Sequence, residues 1–341
     1  MLTRLRLTNF KSFVDEEIEL APLTFLVGAN ASGKSNLLDA IWFLHGLSLL
    51  LSADDILNGE KRSAGNRWEG IRGGSAEAAR YGESSFALES TWYPVGKSAS
   101  HRFRIECTTK PTPVFSAAFN FDEEPLSDGL RQIRWLDLEP RQMRGYGSRS
   151  PILGEQGENF SGFLAQLCDD PEERASLVDW LAALCAPELT DLDFIEVPEV
   201  GDVLAVLIEK GGQRITARSI SDGTLRFLGT LMALRTADPG SVVLLEEIEA
   251  GLHPSRINLL IHFLEMVIRE RGLQIIATTH SPVVLEWLSE EALGNTVVFG
   301  RVPDHEGTIA RRLRAIPHFQ EVVARTGIAE MFSIGWLEMA L

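Results

Sequence analysis

The feature that most constrains this chain is a glycine-rich loop, Gly28-Ala29-Asn30-Ala31-Ser32-Gly33-Lys34-Ser35, which fits the pattern G-x-x-x-x-G-K-[ST]. A short apolar, β-prone run, Leu23–Val27, precedes the loop, and apolar residues at helical spacing follow it from Leu37 to Leu44. A strand, a glycine loop and a helix in this order are the context of a P-loop. The sequence therefore predicts an α/β fold with this loop at the end of a strand.

The residue types in the loop indicate a phosphate ligand. Glycines allow backbone N–H groups to turn inward and surround phosphate oxygens. The N-terminus of the helix that begins near Lys34 adds a positive partial charge. In this interpretation Lys34 neutralises charge on the β- and γ-phosphates, and Ser35 offers its hydroxyl to Mg²⁺.

A second apolar run, Val242–Leu245, ends in two adjacent carboxylates, Glu246 and Glu247. Four consecutive apolar residues are typical of a buried parallel strand, which would deliver both acids to its C-terminal edge. Glu246 is predicted to approach Mg²⁺ through water, and Glu247 to polarise the attacking water as a general base. Solvated acids at an ordinary strand end are the alternative, which a P-loop in the same chain disfavours.

Two further segments could reach a phosphate. The apolar run Leu273–Thr278 leads to His280, which could report whether a γ-phosphate is present, although a lone histidine is usually structural. Ser221 and Gly223 open a predicted helix whose start is another phosphate-binding position. That helix lies far from the P-loop in sequence and need not serve the nucleotide of the same subunit.

These four segments, in this order, resemble the ABC-type ATPases, and most closely the branch that contains RecF, SMC and the overcoming-lysogenization-defect (OLD) ATPases. The segment Leu5–Phe13, with its Asn-Phe-Lys-Ser-Phe turn, is similar to the first strand of that branch, and Asn36 also fits. The stretch Glu246–Pro254 resembles an OLD-type acidic strand end and D-loop. Together the motifs cover about the first 50 residues and the last third before residue 300.

The resemblance implies a role for each matching residue, with ATP and Mg²⁺ as cofactors. The implied catalytic residues are Lys34, Glu247 and His280, and the implied metal-binding residues are Ser35 and Glu246. The implied nucleotide-binding residues are Gly28, Ala29, Asn30, Ala31, Ser32, Gly33, Lys34, Ser35 and Asn36, with Ser221 and Gly223 as signature residues that touch the partner's nucleotide. Gly251, Leu252 and His253 would form the D-loop.

The sequence departs from the family pattern at three places. Glu246 replaces the usual aspartate, the signature reads Ile-Ser-Asp-Gly-Thr in place of Leu-Ser-Gly-Gly-Gln, and His253 replaces the D-loop aspartate. The altered signature disfavours a transporter subunit. Gln132 and Gln142 are candidates for the Q-loop glutamine, and an ordinary surface glutamine is the alternative for each.

Composition limits the remaining possibilities. A formal net charge of −16 disfavours non-specific coating of nucleic acid. No apolar run approaches the roughly 18 residues of a membrane span, and the N-terminus lacks a signal peptide, so we expect a cytoplasmic protein without a membrane partner. The three cysteines have no framework spacing, which predicts buried thiols in a reducing compartment.

The predicted fold is an ABC-type head with a mainly parallel core sheet, an antiparallel β segment and a helical lid. Residues 1–50 and 190–310 are predicted to form the nucleotide-binding core, with the antiparallel segment at about 83–140. The predicted additions are a loop or mobile insert at 51–82, a helical lid at 141–189 and a C-terminal tail element at 311–341. Strands are expected at Phe86–Tyr93 and Arg102–Cys107, and a helix is expected to start at Asp170-Pro171. The sequence contains no heptad run, so we do not expect the long coiled-coil arms of SMC proteins.

Two arginine clusters leave the choice of partner open. They comprise Arg131, Arg134, Arg141, Arg144 and Arg149, and Arg311, Arg312 and Arg314. Such clusters suit DNA or RNA phosphates, an acidic protein partner or a solvated face.

The function predicted is a Mg²⁺-dependent ATPase whose ATP-bound, head-to-tail dimer or higher oligomer switches a separate effector, and analogy to OLD-like proteins suggests anti-phage defence. A RecF-like DNA clamp is the alternative. The chain has no segment that fits a Toprim nuclease, so we expect no built-in nuclease.

Overall fold

The computed structural model describes residues 1–61, 67–93, 100–115, 129–184, 189–302 and 305–341. The chain divides into two compact units. Unit 1 comprises Met1–Ile133, Pro239–Leu244 and Arg271–Leu341, and unit 2 comprises Arg134–Asp238 and Leu245–Glu270. The domain boundaries drawn from sequence motifs stay a prediction, because they follow functional motifs and the two units follow compactness.

Unit 1 contains most of the strands. They are β1 (Leu2–Thr8), β2 (Asp15–Glu19), β3 (Leu23–Val27), β4 (Glu60–Lys61), β5 (Arg67–Trp68), β6 (Ser85–Trp92), β7 (His101–Thr108), β8 (Val114–Phe115), the first residue of β9 (Ile133–Leu136), β14 (Val242–Leu245, up to Leu244), β15 (Gln274–Thr278), β16 (Val297–Gly300) and β17 (Ile309–Arg312). Its helices are α1 (Lys34–Ser48), α2 (Ala53–Asn58), α3 (Gly74–Ala78), α9 (Pro282–Glu286), α10 (Glu290–Asn295), α11 (Phe319–Thr326), α12 (Ile328–Ser333) and α13 (Trp336–Met339).

Unit 2 contains the remaining elements. They are the rest of β9, the last residue of β14, β10 (Gly147–Ser148), β11 (Leu189–Val197), β12 (Asp202–Glu209) and β13 (Arg214–Thr216), with helices α4 (Pro140–Met143), α5 (Phe160–Leu167), α6 (Pro171–Leu184), α7 (Asp222–Thr236) and α8 (Pro254–Arg271, up to Glu270). The strands form a sheet in the order β10-β12-β11, with β13 also paired to β12.

The core sheet has the order β17-β16-β3-β15-β14-β9. β3 pairs in parallel with both β15 and β16, while β17 returns antiparallel to β16. Every residue of β3, β14, β15 and β16 is buried. Strands buried on both faces read as continuous apolar runs, so this burial explains why the Val and Leu runs were recognisable in the sequence. The predicted fold class, with its mainly parallel core sheet, is confirmed.

The antiparallel β segment is also as predicted. The strands expected at Phe86–Tyr93 and Arg102–Cys107 are β6 and β7, which pair antiparallel with Leu88 opposite Ile105. They belong to a second sheet of unit 1, in the order β2-β1-β6-β7-β8. None of the helices in the described part of the chain is both long and apolar enough to cross a bilayer.

The region 51–82, expected to be a loop or mobile insert, contains regular structure among its described residues. α2 begins after Ser52, whose side chain accepts from the Asp55 amide, and α3 follows further along. Trp68 is buried and stacks on Trp42 of α1, with ring centroids 4.8 Å apart. The loop expectation was wrong here because the glycine and charge content of the segment masked a serine cap and a buried tryptophan.

The helix predicted to start at Asp170-Pro171 is α6, and the Glu172 amide donates to Asp170 Oδ1 at 2.9 Å. The predicted burial is confirmed for Cys107, and it raises the pKa of the Cys107 thiol to about 12. Cys168 is half-buried, and burial raises its pKa to about 11. Cys185 lies outside the described residues.

His45 of α1 is a buried titratable group in unit 1. Its Nδ1 lies 2.8 Å from the Leu130 carbonyl oxygen, and its ring lies beside Trp42 and Trp68. Burial lowers the pKa of His45 from its ordinary value of 6.5, and the hydrogen bond to Leu130 only partly opposes this effect. The neutral imidazole is therefore favoured in the folded protein.

We expect His45 to make the folded state sensitive to mild acid. The unfolded chain binds the proton more readily than the folded protein does, so stability present above pH 6.5 is lost as the pH falls toward the lower folded pKa. Urea unfolding of the protein and of His45→Gln at pH 7.5 and at pH about 5 tests this. The variant should lose less stability over that interval than the protein does. The exposed His262, changed to Gln, is the control, and an identical pH dependence in His45→Gln would contradict the prediction.

Candidate functional site

Two glycines shape the P-loop in unit 1. Gly28 and Gly33 have φ angles of 139° and 115°, which L side chains rarely adopt. A Cβ on Gly28 would lie 2.2 Å from the Phe299 carbonyl oxygen, and one on Gly33 would lie 2.7 Å from Thr308 Oγ1. Both positions therefore require glycine for conformation and for space.

Lys34 folds back over the same loop. Its side chain donates from Nζ to the carbonyl oxygens of Gly28 at 2.7 Å and Ala29 at 2.9 Å, and the residue is only 6% exposed. Lys34 is the first residue of α1, which has no side-chain cap and no acidic residue in its first turn. The first amides of a helix have no intrahelical acceptor, so this uncapped start offers donors to an anion.

The loop also contains a buried hydroxyl that fits a polar ligand. Ser32 Oγ has no hydrogen-bond partner among the described residues. A buried polar atom without a partner is costly, and a phosphate oxygen bound in the loop could accept from it. Together with the two glycines at positive φ, Lys34 and the uncapped helix, this orphaned hydroxyl shows that the residues present fit a nucleotide phosphate.

A residue that the motifs missed supports the loop from behind. Thr308, which precedes β17 and is 1% exposed, donates from its hydroxyl to the Ser32 carbonyl oxygen at 2.8 Å. Its Oγ1 lies 2.8 Å from Ser12 Oγ, which also accepts from Asn36 Nδ2 at 2.7 Å. Because a carbonyl can only accept, the Thr308 proton serves Ser32, and the Ser12 proton is left for Thr308. This chain of hydrogen bonds joins the Asn-Phe-Lys-Ser-Phe turn, α1 and the P-loop.

Thr308→Val should weaken ATP binding about tenfold, because a buried carbonyl and a hydroxyl each lose a partner while the branched shape is kept. Thr308→Ser, which restores the hydroxyl, should recover most of the affinity. Titration with a fluorescent ATP analogue measures both, with thermal unfolding as a check on the fold. If the valine variant binds as tightly as the parent, Thr308 does not support the loop.

The structure places His280 at the same sheet edge as the P-loop. In the parallel pairing of β15 with β3, Thr278 is opposite Leu26, and the Thr279 amide donates to the Leu26 carbonyl oxygen at 3.3 Å. His280 and Gly28 each lie two residues beyond that pair, so they leave adjacent strands at the same level. His280 is exposed there. Its role as a phosphate sensor stays a prediction.

The two acids predicted to be catalytic lie in unit 2, directly after β14. Glu246 is half-buried and Glu247 is exposed. Glu247 has a φ of 46°, and its carbonyl oxygen accepts from the Ala250 amide at 2.7 Å. A non-glycine residue in this conformation stores roughly 1 kcal/mol or more of strain, which tends to occur where a side chain is aimed for function.

A polar cavity of about 260 Å³ opens beside these acids within unit 2. Glu246 and Glu247 contribute to its lining, as do Arg226 and Thr230 of α7. Arg226 Nε donates to the Leu138 carbonyl oxygen at 3.2 Å, which fixes its stem. The acids therefore face a concave space that could hold water and ligand oxygens.

The signature residues lie at the start of α7. Ser221 is its N-cap: its Oγ accepts from the Thr224 amide at 3.2 Å and lies 2.7 Å from Thr224 Oγ1. A Cβ on Gly223 would lie 1.9 Å from the Gly251 carbonyl oxygen, and Gly251 itself has a φ of 78°. The predicted signature and D-loop glycines thus pack backbone to backbone in unit 2.

His253 has a local role that the sequence did not reveal. Its Nδ1 lies 2.9 Å from Ser255 Oγ and accepts from the Ser255 amide at 3.3 Å. The imidazole therefore caps the start of α8, as an aspartate would. The hydrogen bonds of this histidine are explained without any contact to a second subunit.

The Q-loop assignment stays open. The Gln132 carbonyl oxygen accepts from the Val242 amide at 3.1 Å, at the edge of the core sheet. Gln142 is exposed, and its Nε2 donates to Gln156 Oε1 at 2.8 Å.

Both arginine clusters are largely paired with acids. Arg149 contacts Asp169 at 2.9 Å, and Arg312 contacts Glu19 at 3.0 Å. Further pairs join Arg134 to Asp238, Arg144 to Asp222, Arg311 to Glu16 and Arg314 to Glu19. Compensated charges attract phosphates less strongly, so these clusters give nucleic-acid binding less support than the sequence suggested.

Unit 1 thus brings together residues 28–36 and His280. Unit 2 brings together Glu246, Glu247 and the segment around Gly251, which contacts the start of α7 at Gly223. The catalytic, metal-binding and signature roles assigned to these residues stay predictions.

Two family models match the sequence. One, described as "AAA domain, putative AbiEii toxin, Type IV TA system", matches residues 168–286. The other, described as "AAA ATPase domain", matches residues 1–73. The first match includes Ser221, Glu247 and His280, and the second includes the P-loop. No curated protein matches the sequence.

Solved structures with this fold include SMC heads and RecF. An SMC head bound to the C-winged helix domain of ScpA has a TM-score of 0.56 and 16% identity, over 92% of this chain and 98% of that chain. The SMC head from Thermotoga maritima has a TM-score of 0.51 and 15% identity, over 91% and 98%. The recombination mediator protein RecF of the RecFOR pathway, as RecF-ATPrS, has a TM-score of 0.51 and 14% identity, over 92% and 98%.

The fold and the glycine loop together define a protein of the P-loop class. Residues 1–73 and 168–286 are similar to AAA ATPase families, and the fold is similar to that of the RecF and SMC-head structures. The family resemblance drawn from the sequence is therefore confirmed.

Proposed function

We propose that this protein is a Mg²⁺-dependent ATPase that acts as an ATP-controlled switch. The observation that carries the proposal is the P-loop, in which two glycines at positive φ, a buried Lys34 and an uncapped helix start converge. Backbone amides and a lysine in this arrangement bind the phosphates of a nucleoside triphosphate.

The chemistry that we propose uses the residues to which the sequence motifs assign catalytic and metal-binding roles. A bound phosphate takes the place of the Gly28 and Ala29 carbonyls as partner of Lys34. Glu247 accepts a proton from the attacking water, and His280 donates a hydrogen bond to the γ-phosphate. The Ser35 hydroxyl and the Glu246 carboxylate are oxygen donors of the type that Mg²⁺ prefers. The ion, when bound, would neutralise charge that develops on the phosphates.

We further propose that ATP joins two copies head to tail, as a dimer or as part of a larger oligomer. Ser221 and Asp222 are exposed at the start of the 15-residue helix α7, where amides can meet a phosphate carried by another copy. In this arrangement Ser221 and Gly223 complete the nucleotide site of the partner.

The partner-switching role is the part of the proposal that draws on the relatives. The description of one matching family names a toxin of a type IV toxin–antitoxin system, and one similar SMC head is bound to a domain of ScpA. These descriptions support an ATPase that controls a separate effector or DNA-processing partner, and the proposed role in anti-phage defence rests on analogy to OLD-like proteins. The similarity to RecF supports the alternative, an ATP-dependent DNA clamp in repair.

Steady-state ATP hydrolysis by the purified protein, with and without double-stranded DNA, distinguishes these two roles. Turnover that DNA stimulates strongly at low salt, and less at moderate salt, would favour the clamp. A hydrolysis rate that does not change with DNA would favour the partner-controlling switch, and the partner would then be sought by co-purification. Absence of both ATP binding and Mg²⁺-dependent hydrolysis would overturn the ATPase proposal itself.

A further inference from the structure

Arg144, just after α4, makes an unusual set of contacts with the segment that leads into α7. The two hydrogens of its Nη1 are shared among the carbonyl oxygens of Ala217 at 3.2 Å, Arg218 at 2.9 Å and Ile220 at 2.6 Å. Its Nη2 donates to the carboxylate of Asp222. One guanidinium thus gathers three backbone carbonyls and the acid in the first turn of α7, all within unit 2.

The backbone that carries Arg144 is itself fixed. Met143 is fully buried and lies against α7, where a Cβ on Gly229 would come within 2.9 Å of Met143 Cε. On the other side, the buried Ser161 of α5 donates to the Gly145 carbonyl oxygen at 3.0 Å. Arg144 therefore extends from an anchored turn, so no further backbone ordering is needed when its guanidinium binds the segment.

The segment needs such a partner for two physical reasons. Its three carbonyls belong to a 3₁₀ turn at Ala217–Ser219 and to Ile220, which leads into the cap, and carbonyls outside regular ladders require donors from elsewhere. Asp222 adds a negative charge at the helix start that is proposed to receive a phosphate. Like charges at close range repel, so an uncompensated carboxylate at this position would oppose an anion.

We infer that Arg144 is a positioning residue for the signature segment: it fixes residues 217–222 and neutralises Asp222, so that Ser221 and the first amides of α7 can receive a phosphate. This inference rests on the proposed function, in which that phosphate belongs to the ATP of a second copy. It also explains why the signature tolerates an acid where the family pattern has glycine. Asp222 is an ion-pair partner inside its own subunit.

The test uses the full chain with Glu247→Gln, which should hold ATP without hydrolysing it. Arg144→Ala is added to this parent, and Arg141→Ala, an exposed arginine of α4 three positions earlier, is the matched control. Light scattering during gel filtration measures ATP-dependent dimer formation over a range of protein concentrations. ATP affinity is measured in parallel, and thermal unfolding confirms that each variant folds.

We expect Arg144→Ala to weaken the ATP-dependent dimer about tenfold or more, because several hydrogen bonds from a charged donor are lost. ATP affinity at the P-loop should change by less than about twofold, since the hydrogen bonds that Arg144 makes are to residues 217–222. Arg144→Lys keeps the charge without the planar fork and should give an intermediate loss. Addition of Asp222→Asn to Arg144→Ala should recover part of the lost affinity, because the uncompensated carboxylate is removed. Parent-like dimer formation by Arg144→Ala would overturn the inference.

A second measurement separates this inference from the proposed function. If the parent does not dimerise with ATP, the head-to-tail proposal fails, and Arg144 is then judged by hydrogen exchange in the nucleotide-free protein. Amides of residues 217–224 should exchange about tenfold faster in Arg144→Ala than in Arg141→Ala, because the lost hydrogen bonds lower the local opening free energy. Equal exchange in the two variants would show that Arg144 does not hold the segment.

Discussion

Lys34→Ala is expected to abolish ATP binding by this protein at ordinary nucleotide concentrations. The Lys34 ammonium is the cation placed inside the P-loop, with two loop carbonyls as its partners. Hydrogen bonds between charged groups contribute roughly 1.5–3 kcal/mol each, so the loss of two such contacts to phosphate should weaken binding about 100-fold or more. Isothermal titration with ATP and Mg²⁺ measures the effect directly.

The control for this variant is Lys210→Ala, which removes an exposed lysine from a turn of unit 2. It should leave ATP affinity unchanged, and both variants should unfold at similar temperatures. Should Lys34→Ala retain the affinity of the parent, the P-loop interpretation would be wrong, and the function proposed from it would fall as well.

Glu247→Gln should stop turnover while ATP stays bound, and should accumulate an ATP-bound dimer. Glutamine keeps the size of the side chain and its reach but cannot accept the proton of the attacking water. General bases contribute about 10²–10⁴-fold to rate, so hydrolysis should fall by at least about 100-fold. Phosphate release measures the first effect, and light scattering during gel filtration measures the second.

Glu270→Gln is the matched control, since Glu270 is an exposed glutamate near the end of α8 in the same unit. It should hydrolyse ATP at the parental rate. Unchanged turnover in Glu247→Gln would remove Glu247 as the base, and loss of turnover without a dimer would separate the catalytic assignment from the head-to-tail proposal.

The parts of the fold that could be predicted are those with a local signal. The P-loop joins two strong periodic elements, and the buried strands of the core sheet appear as runs such as Val242–Leu245. The helix after Asp170 has its cap and its proline next to each other in sequence. In each case the residues that fix the structure lie within a few positions of it.

The parts that escaped prediction depend on contacts between distant residues. Thr308 meets Ser12 across 296 residues of sequence, and no local pattern marks a threonine that will support a loop so far away. In the sequence Arg144 is one member of a basic cluster, because the carbonyls that it binds are brought together only when the chain turns at 217–220. The capping role of His253 is short-range, but an imidazole cap lacks the propensity of Ser or Asp that would reveal it.

The close approach of Gly223 to Gly251 has a consequence for timing. Gly251 follows Glu247 by four residues, and neither glycine can take a side chain without displacing the other backbone. The start of α7, which would contact the ATP of the neighbouring subunit, and the turn at 247–251, which would position the subunit's own base, are therefore expected to move together. In a head-to-tail pair, binding of nucleotide at one site would therefore change the position of Glu247 at the other site. The two sites would then hydrolyse in step, and ATP hydrolysis would show a Hill coefficient above one.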